Sequence, residues 1–167
     1  MAFRRLIKEV RANLWVRWLK VQFPRLRIIL LLRHPCAVAD SRLRLEWPTR
    51  LSMFLAQREL MTDYLAPYRD AMLHLATDFE KHVMACCIHY YVPLRQFKGR
   101  EVYCAFYEDF LTDPEREIAG LFSFLGERYD ERIFSLLDRP SGTTSRDSEA
   151  RAQHGACLLY TSDAADE

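Results

Sequence analysis

"LLLRHPCAVADSR", residues Leu30 to Arg42, is the stretch on which the fold turns. Its apolar lead-in begins at Ile28 and runs unbroken to Leu32, with charge on both sides. A continuous run of this kind is expected of a strand buried on both faces of a parallel sheet. Arg33 ends the run, Pro35 stands where the first turn of a helix tolerates a missing N–H, and Ala37 to Leu45 can continue that helix. In open parallel sheets, ligands gather beyond the carboxyl ends of strands, where the next helix presents unpaired N–H groups and a positive dipole end. Arg33 through its fork and Ser41, eight residues on, through its hydroxyl can both face one anion there, and phosphate is the natural guest. Spacing alone leaves a second reading open, in which Arg33 pairs with a neighbouring acid and Ser41 merely tolerates a helix.

Working outward, Phe3 to Lys8 reads as a short strand or the first turn of a long helix. Leu14, Trp15, Trp18 and Leu19 fall near helical spacing, predicting a helix over Arg11 to Gln22 that Phe23 and Pro24 stop. Leu51 to about Leu75 and Phe79 to Phe97 are helical in pattern, with Pro67 breaking the first piece. After Gly99, "EVYCAFY" (Glu101 to Tyr107) is rich in β-branched and aromatic residues and predicts a second core strand. Asp113 as N-cap, Pro114 at the first helical position, acids in the opening turn and Gly126 at the close then mark out a helix. A short helix over Asp130 to Leu137 precedes the loop "DRPSGTTSRDS". Strands alternating with long helices argue for the α/β class with a parallel sheet.

Composition limits the partners. The 167 residues carry 24 basic and 23 acidic side chains, a formal charge of +1, so no global field draws the chain to nucleic acid or an anionic membrane. Any anion site must be local. Of the basic residues 20 are arginines and four are lysines, which favours forked contacts with phosphate or carboxylate. Half of the residues are hydrophobic, enough for one compact domain with a real core. The five cysteines are odd in number and lack zinc or redox spacing, so a reduced, cytoplasmic setting is expected. The longest apolar run falls far short of the ~20 residues that span a bilayer, so no stable membrane insertion is expected. His82, Cys86 and His89 share one helical face, yet no fourth ligand is evident and a buried structural role is the expectation. Tyr90, Tyr91 and Phe97 read equally as core or as the wall of a binding site.

"RLRIILLLRHPCAVADSRLRL", followed about 70 residues on by "VYCAFYEDFLTDPEREIAGLFSFLG", resembles the sulfotransferase family that uses 3′-phosphoadenosine 5′-phosphosulfate. The likeness runs from about Leu6 to Ser148. It implies a three-layer α/β/α, P-loop NTPase-like fold, and a domain over residues 1–150 that lacks part of the family pattern. It also implies that Arg33 and Ser41 hold the donor's 3′-phosphate, that Tyr107 lies near the nucleotide, and that Arg146, in a late basic loop, is a further donor contact. The implied reaction moves a sulfuryl group to a hydroxyl or amine of a small-molecule, glycan, lipid or peptide acceptor, without a metal.

Departures from the family pattern matter as much. The family opens with a strand and a Gly-Thr-Thr loop that cradles the 5′-phosphosulfate, and none precedes Lys8. "SGTTS" (Ser141 to Ser145) has nearly the right letters, but no strand precedes it, no lysine adjoins it and no helical stripe follows. Lys8 falls near the family's catalytic lysine, whereas Val10 stands where a histidine would supply the base; Glu9 is an exposed acid or a substitute base. We therefore expect a fragment with a half-built donor site, inactive alone. Residues 151–167 are expected to form a disordered tail, of which "CLLYTSDAADE" (157–167) resembles translated sequencing adapter. The other reading from a different class is a non-catalytic nucleotide-binding or interaction module of the same ancestry.

Overall fold

A computed structural model describes residues 6–99 and 101–136. The expectations that fall on Phe3, on Ser141 to Ser145, on Arg146 and on the tail lie outside these residues. The chain divides into two compact units, the first ending at Cys104 and the second beginning at Ala105.

The predicted strand and helix around Arg33 both form. β1 (Ile29–Leu32) pairs with β2 (Tyr103–Phe106) in a small parallel sheet, with the Tyr103 amide donating to the Ile28 carbonyl at 2.9 Å. The described residues are thus of the α/β class, mostly helical with a small parallel sheet. Burial of β1 corrects the expectation. Leu30 is buried against Val16, Phe97 and Val102, and Leu32 is buried too, but Leu31 between them is 60% exposed. The pleat sends alternate side chains to opposite faces, and only one face of this strand is covered among the described residues.

In the first unit, a 3₁₀ turn at Asn13–Trp15 leads into α1 (Val16–Gln22), where the sequence predicts a helix. Leu6 to Val10, however, form no regular element. α2 (Pro35–Arg44) begins on Pro35 as read from the sequence. The helical pattern from Leu51 to Leu75 resolves into short pieces: α3 (Leu51–Leu55), α4 (Arg58–Leu60), a π-type turn over Met61–Leu65, a 3₁₀ turn at Ala66–Tyr68, and α5 (Arg69–Leu73). They wrap around α6 (Asp78–Gln96), contributing Leu51, Phe54, Leu65 and Met72 to a core shared with its Ala85, Ile88 and Val92. α6 starts on a capping box: Thr77 Oγ1 accepts from the Glu80 amide at 3.2 Å, and Glu80 Oε2 accepts from the Thr77 amide at 2.8 Å. α2 packs along α6, with Ala39 completely buried.

In the second unit, α7 (Tyr107–Thr112) follows β2 without a loop. Tyr107 therefore opens a helix, where the β-prone run "EVYCAFY" predicts the end of a strand. α8 (Pro114–Leu125) has the predicted punctuation: the Asp113 side chain accepts from the Arg116 amide at 3.2 Å, and Gly126 takes the left-handed conformation at φ +62° that suits a helix end without a Cβ. The stretch predicted as a helix beyond Asp130 is a 3₁₀ turn, Glu131–Leu136. Among the described residues, no helix is long and apolar enough to cross a membrane.

Candidate functional site

The junction between β1 and α2 is built by three parts of the chain. The apolar strand ends at Leu32, Arg33 and His34 form the link, and Pro35 starts the helix with its φ already suited to it. The Val38 amide donates to the His34 carbonyl at 3.1 Å. The third part comes from 57 residues away: the Tyr90 hydroxyl on α6 accepts the Arg33 amide proton at 3.2 Å. That bond fixes the backbone at the strand's exit against the longest helix. Burial first, and then a hydrogen bond with the Cys86 thiol, push the Tyr90 phenol well above its usual range, so it stays neutral and keeps its proton.

Arg33 and Ser41 are both half-buried, neither sealed in the core nor projecting freely, and the Arg33 Nε is buried. Ser41 lies about 9 Å up the helix from Pro35, six residues at ~1.5 Å each. The first turn of α2 carries no acid. The nearest acid on the helix, Asp40, is engaged by Arg44 four residues on. The positive dipole end of α2 and Arg33 thus lie together at the start of this helix, with the Ser41 hydroxyl about two turns further along it.

Two participants escaped sequence reasoning. Tyr90 read as either core or wall, and its role depends on a contact no local pattern encodes. Arg42, next to Ser41, is half-buried, and its charge is felt by Cys86, His89 and Tyr90 across the α2–α6 seam. Burial, and then the Arg42 cation, hold the His89 imidazole below its usual range. The His89 ring stacks edge-on against Phe54, with centroids 5.4 Å apart.

Other predicted residues lie elsewhere. Lys8 and Glu9 are exposed in the irregular N-terminal segment, where Glu9 accepts from the Arg11 amide at 2.8 Å. Tyr107 is half-buried at the start of α7 in the second unit. His82 is buried with Nε2 3.1 Å from the Trp47 carbonyl, a structural bond between α6 and the loop after α2. No group of three His, Cys, Asp or Glu side chains among the described residues could hold a metal ion. Phe97 is core, with the Arg17 guanidinium 5.8 Å from its ring centre.

Comparison with known proteins adds one finding. The model of a family described as "Sulfotransferase family" matches residues 3–131. No curated protein and no solved structure matches.

Proposed function

The chain belongs to the sulfotransferase family, and we propose that its donor is 3′-phosphoadenosine 5′-phosphosulfate, with the 3′-phosphate seated at the β1–α2 junction between Arg33 and Ser41. The observation that carries this reading is the acid-free N-terminus of α2, flanked by a half-buried arginine whose amide is held by Tyr90. The guanidinium supplies two parallel N–H donors, the helix end supplies backbone N–H groups and Ser41 supplies a hydroxyl, so a dianionic phosphate finds donors on several sides.

In the reaction, the S–O bond to the donor's phosphate breaks as a new bond forms between sulfur and the acceptor's oxygen or nitrogen. Adenosine 3′,5′-bisphosphate leaves, and the acceptor's proton passes to a base. As in phosphoryl transfer, in-line positioning and cationic stabilisation of the departing oxygens carry most of the acceleration. Lys8 is the candidate for that cation, and Tyr107 and Arg146 are candidate nucleotide contacts within a domain over residues 1–150. The acceptor is a hydroxyl or amine of a small molecule, glycan, lipid or peptide.

Calorimetric titration of the full chain with adenosine 3′,5′-bisphosphate tests this reading. Arg33→Ala should weaken binding by about 10- to 150-fold, the equivalent of ~1.5–3 kcal/mol for a hydrogen bond to a charged group. Adenosine 5′-monophosphate, which lacks the 3′-phosphate, should bind the two proteins alike. Unchanged bisphosphate affinity in Arg33→Ala would remove Arg33 from the site.

A further inference from the structure

A cavity of about 500 Å³ lies within the first unit, between one face of α6 and the short helical pieces before it. Val83, Met84 and Ile88 line it from α6, Leu65 and Leu75 line it from the opposite side, and Cys36 enters its wall from the first turn of α2. Its volume falls in the range of about 300–1,000 Å³ usual for small-molecule sites. Phe79 and Tyr68, both partly exposed, stand at its rim with the exposed thiol of Cys87.

The polar groups in this wall are already engaged. Tyr68 and Tyr91 pack edge to face, 5.5 Å between ring centres, and hydrogen-bond to each other through their side chains. Glu80 accepts from the Ala76 and Thr77 amides at 2.9 and 2.8 Å. What faces the cavity is almost wholly apolar, and the thiols of Cys36 and Cys87 add only weak donors. Burial pushes the Cys87 thiol upward, so it is uncharged at neutral pH. A polyhydroxylated guest would leave several of its own groups unpaired in such a wall, at a penalty for each. An apolar guest meets no such penalty.

We infer that this cavity seats the apolar body of the acceptor, an aryl or alkyl alcohol with a single reacting hydroxyl. The inference rests on the donor reading above: Cys36 follows Arg33 by three residues, so the cavity wall and the proposed phosphate seat are consecutive parts of one strand–helix link. It narrows the acceptor from any hydroxyl or amine to an apolar one and disfavours sugars.

The test uses the full chain and three probes titrated separately by calorimetry: 2-naphthol, glucose, and adenosine 3′,5′-bisphosphate. Naphthol should bind saturably and glucose should not. Cys87→Trp, which fills the cavity from its exposed rim, should weaken naphthol binding by about tenfold or more, as a volume mismatch in an apolar pocket does, while bisphosphate affinity stays within twofold. Arg33→Ala should do the reverse. Val83→Trp, one turn earlier on α6, fills the same space and should repeat the loss if Cys87→Trp fails to fold. Bisphosphate binding without naphthol binding, or naphthol binding indifferent to both fillings, would overturn the cavity inference and leave the donor reading intact. Naphthol binding that is lost on filling, in a chain that does not bind bisphosphate, would sink the donor reading and sustain the cavity's choice of an apolar guest.

Discussion

Among the described residues two strands hand over to helices, and they do so in opposite electrostatic styles. β1 passes through Arg33 and His34 into α2, whose first turn holds no acid; β2 runs straight into α7, whose first turn holds Glu108 and Asp109. α6 and α8 resemble α7, with Asp78 and Glu80 or Glu115 and Glu117 in their opening turns. Acids there satisfy the positive dipole end from within the chain. α2 leaves that task undone and adds a half-buried arginine beside it. α1 and α3 also open without an acid, so what sets α2 apart from α7, the other helix that follows a strand, is an acid-free start joined to a half-buried arginine, which suits the anion seat proposed there.

Breaking this contrast should have its largest effect at α2. Ala37→Asp would place a carboxylate in the first turn, as α7 has. At ~6 Å and an effective dielectric of about 20, the repulsion of one phosphate charge is roughly 2–3 kcal/mol, so bisphosphate affinity should fall by well over tenfold in calorimetry. The helix itself should gain a few tenths of a kcal/mol, because the acid complements its dipole. A thermal melt that rises while binding collapses is the expected signature.

Removing the latch comes next. Tyr90→Phe leaves the Arg33 amide without its acceptor, and urea unfolding should show a loss of about 1–2 kcal/mol. An unchanged midpoint would mean that the junction does not depend on α6. At α8, Asp113→Ala removes an N-cap and should lower stability by about 1 kcal/mol with bisphosphate binding untouched.

The smallest effect concerns pH. His89 is held below its ordinary value of 6.5, so below that pH the unfolded chain binds a proton the folded chain resists. Its share of stability is complete above pH 6.5 and is lost as pH falls toward the lowered folded value. His89→Phe should therefore flatten the decline in urea midpoint between pH 7 and pH 5.5, and an equally steep decline in both proteins would assign the slope elsewhere.

What the sequence disclosed was local. Ile28 to Leu32, Pro35, Asp113, Pro114 and Gly126 each act on the backbone within a few residues, and the elements they mark stand where they are expected. The run from Leu51 to Leu75 was less legible: its apolar spacing is helical throughout, yet packing around α6 and Pro67 divides it into several turns. Tyr107 misled because β-prone residues lead up to it, although the acids at Glu108 and Asp109 carry the signature of a helix start. In the candidate site, Arg33 and Ser41 are proposed from spacing and resemblance. Tyr90, Arg42 and the cavity were not, since each depends on α6 lying against α2, a juxtaposition no window of sequence contains.

Tyr90 and Tyr91 are neighbours on α6, yet one grips the Arg33 amide and the other walls the cavity. A guest that tilted this helix as it settled would tug, through the Tyr90 bond, on the backbone beside the proposed phosphate seat. Thermodynamic reciprocity then requires the nucleotide to return the favour, with each occupant altering the other's affinity by the same factor.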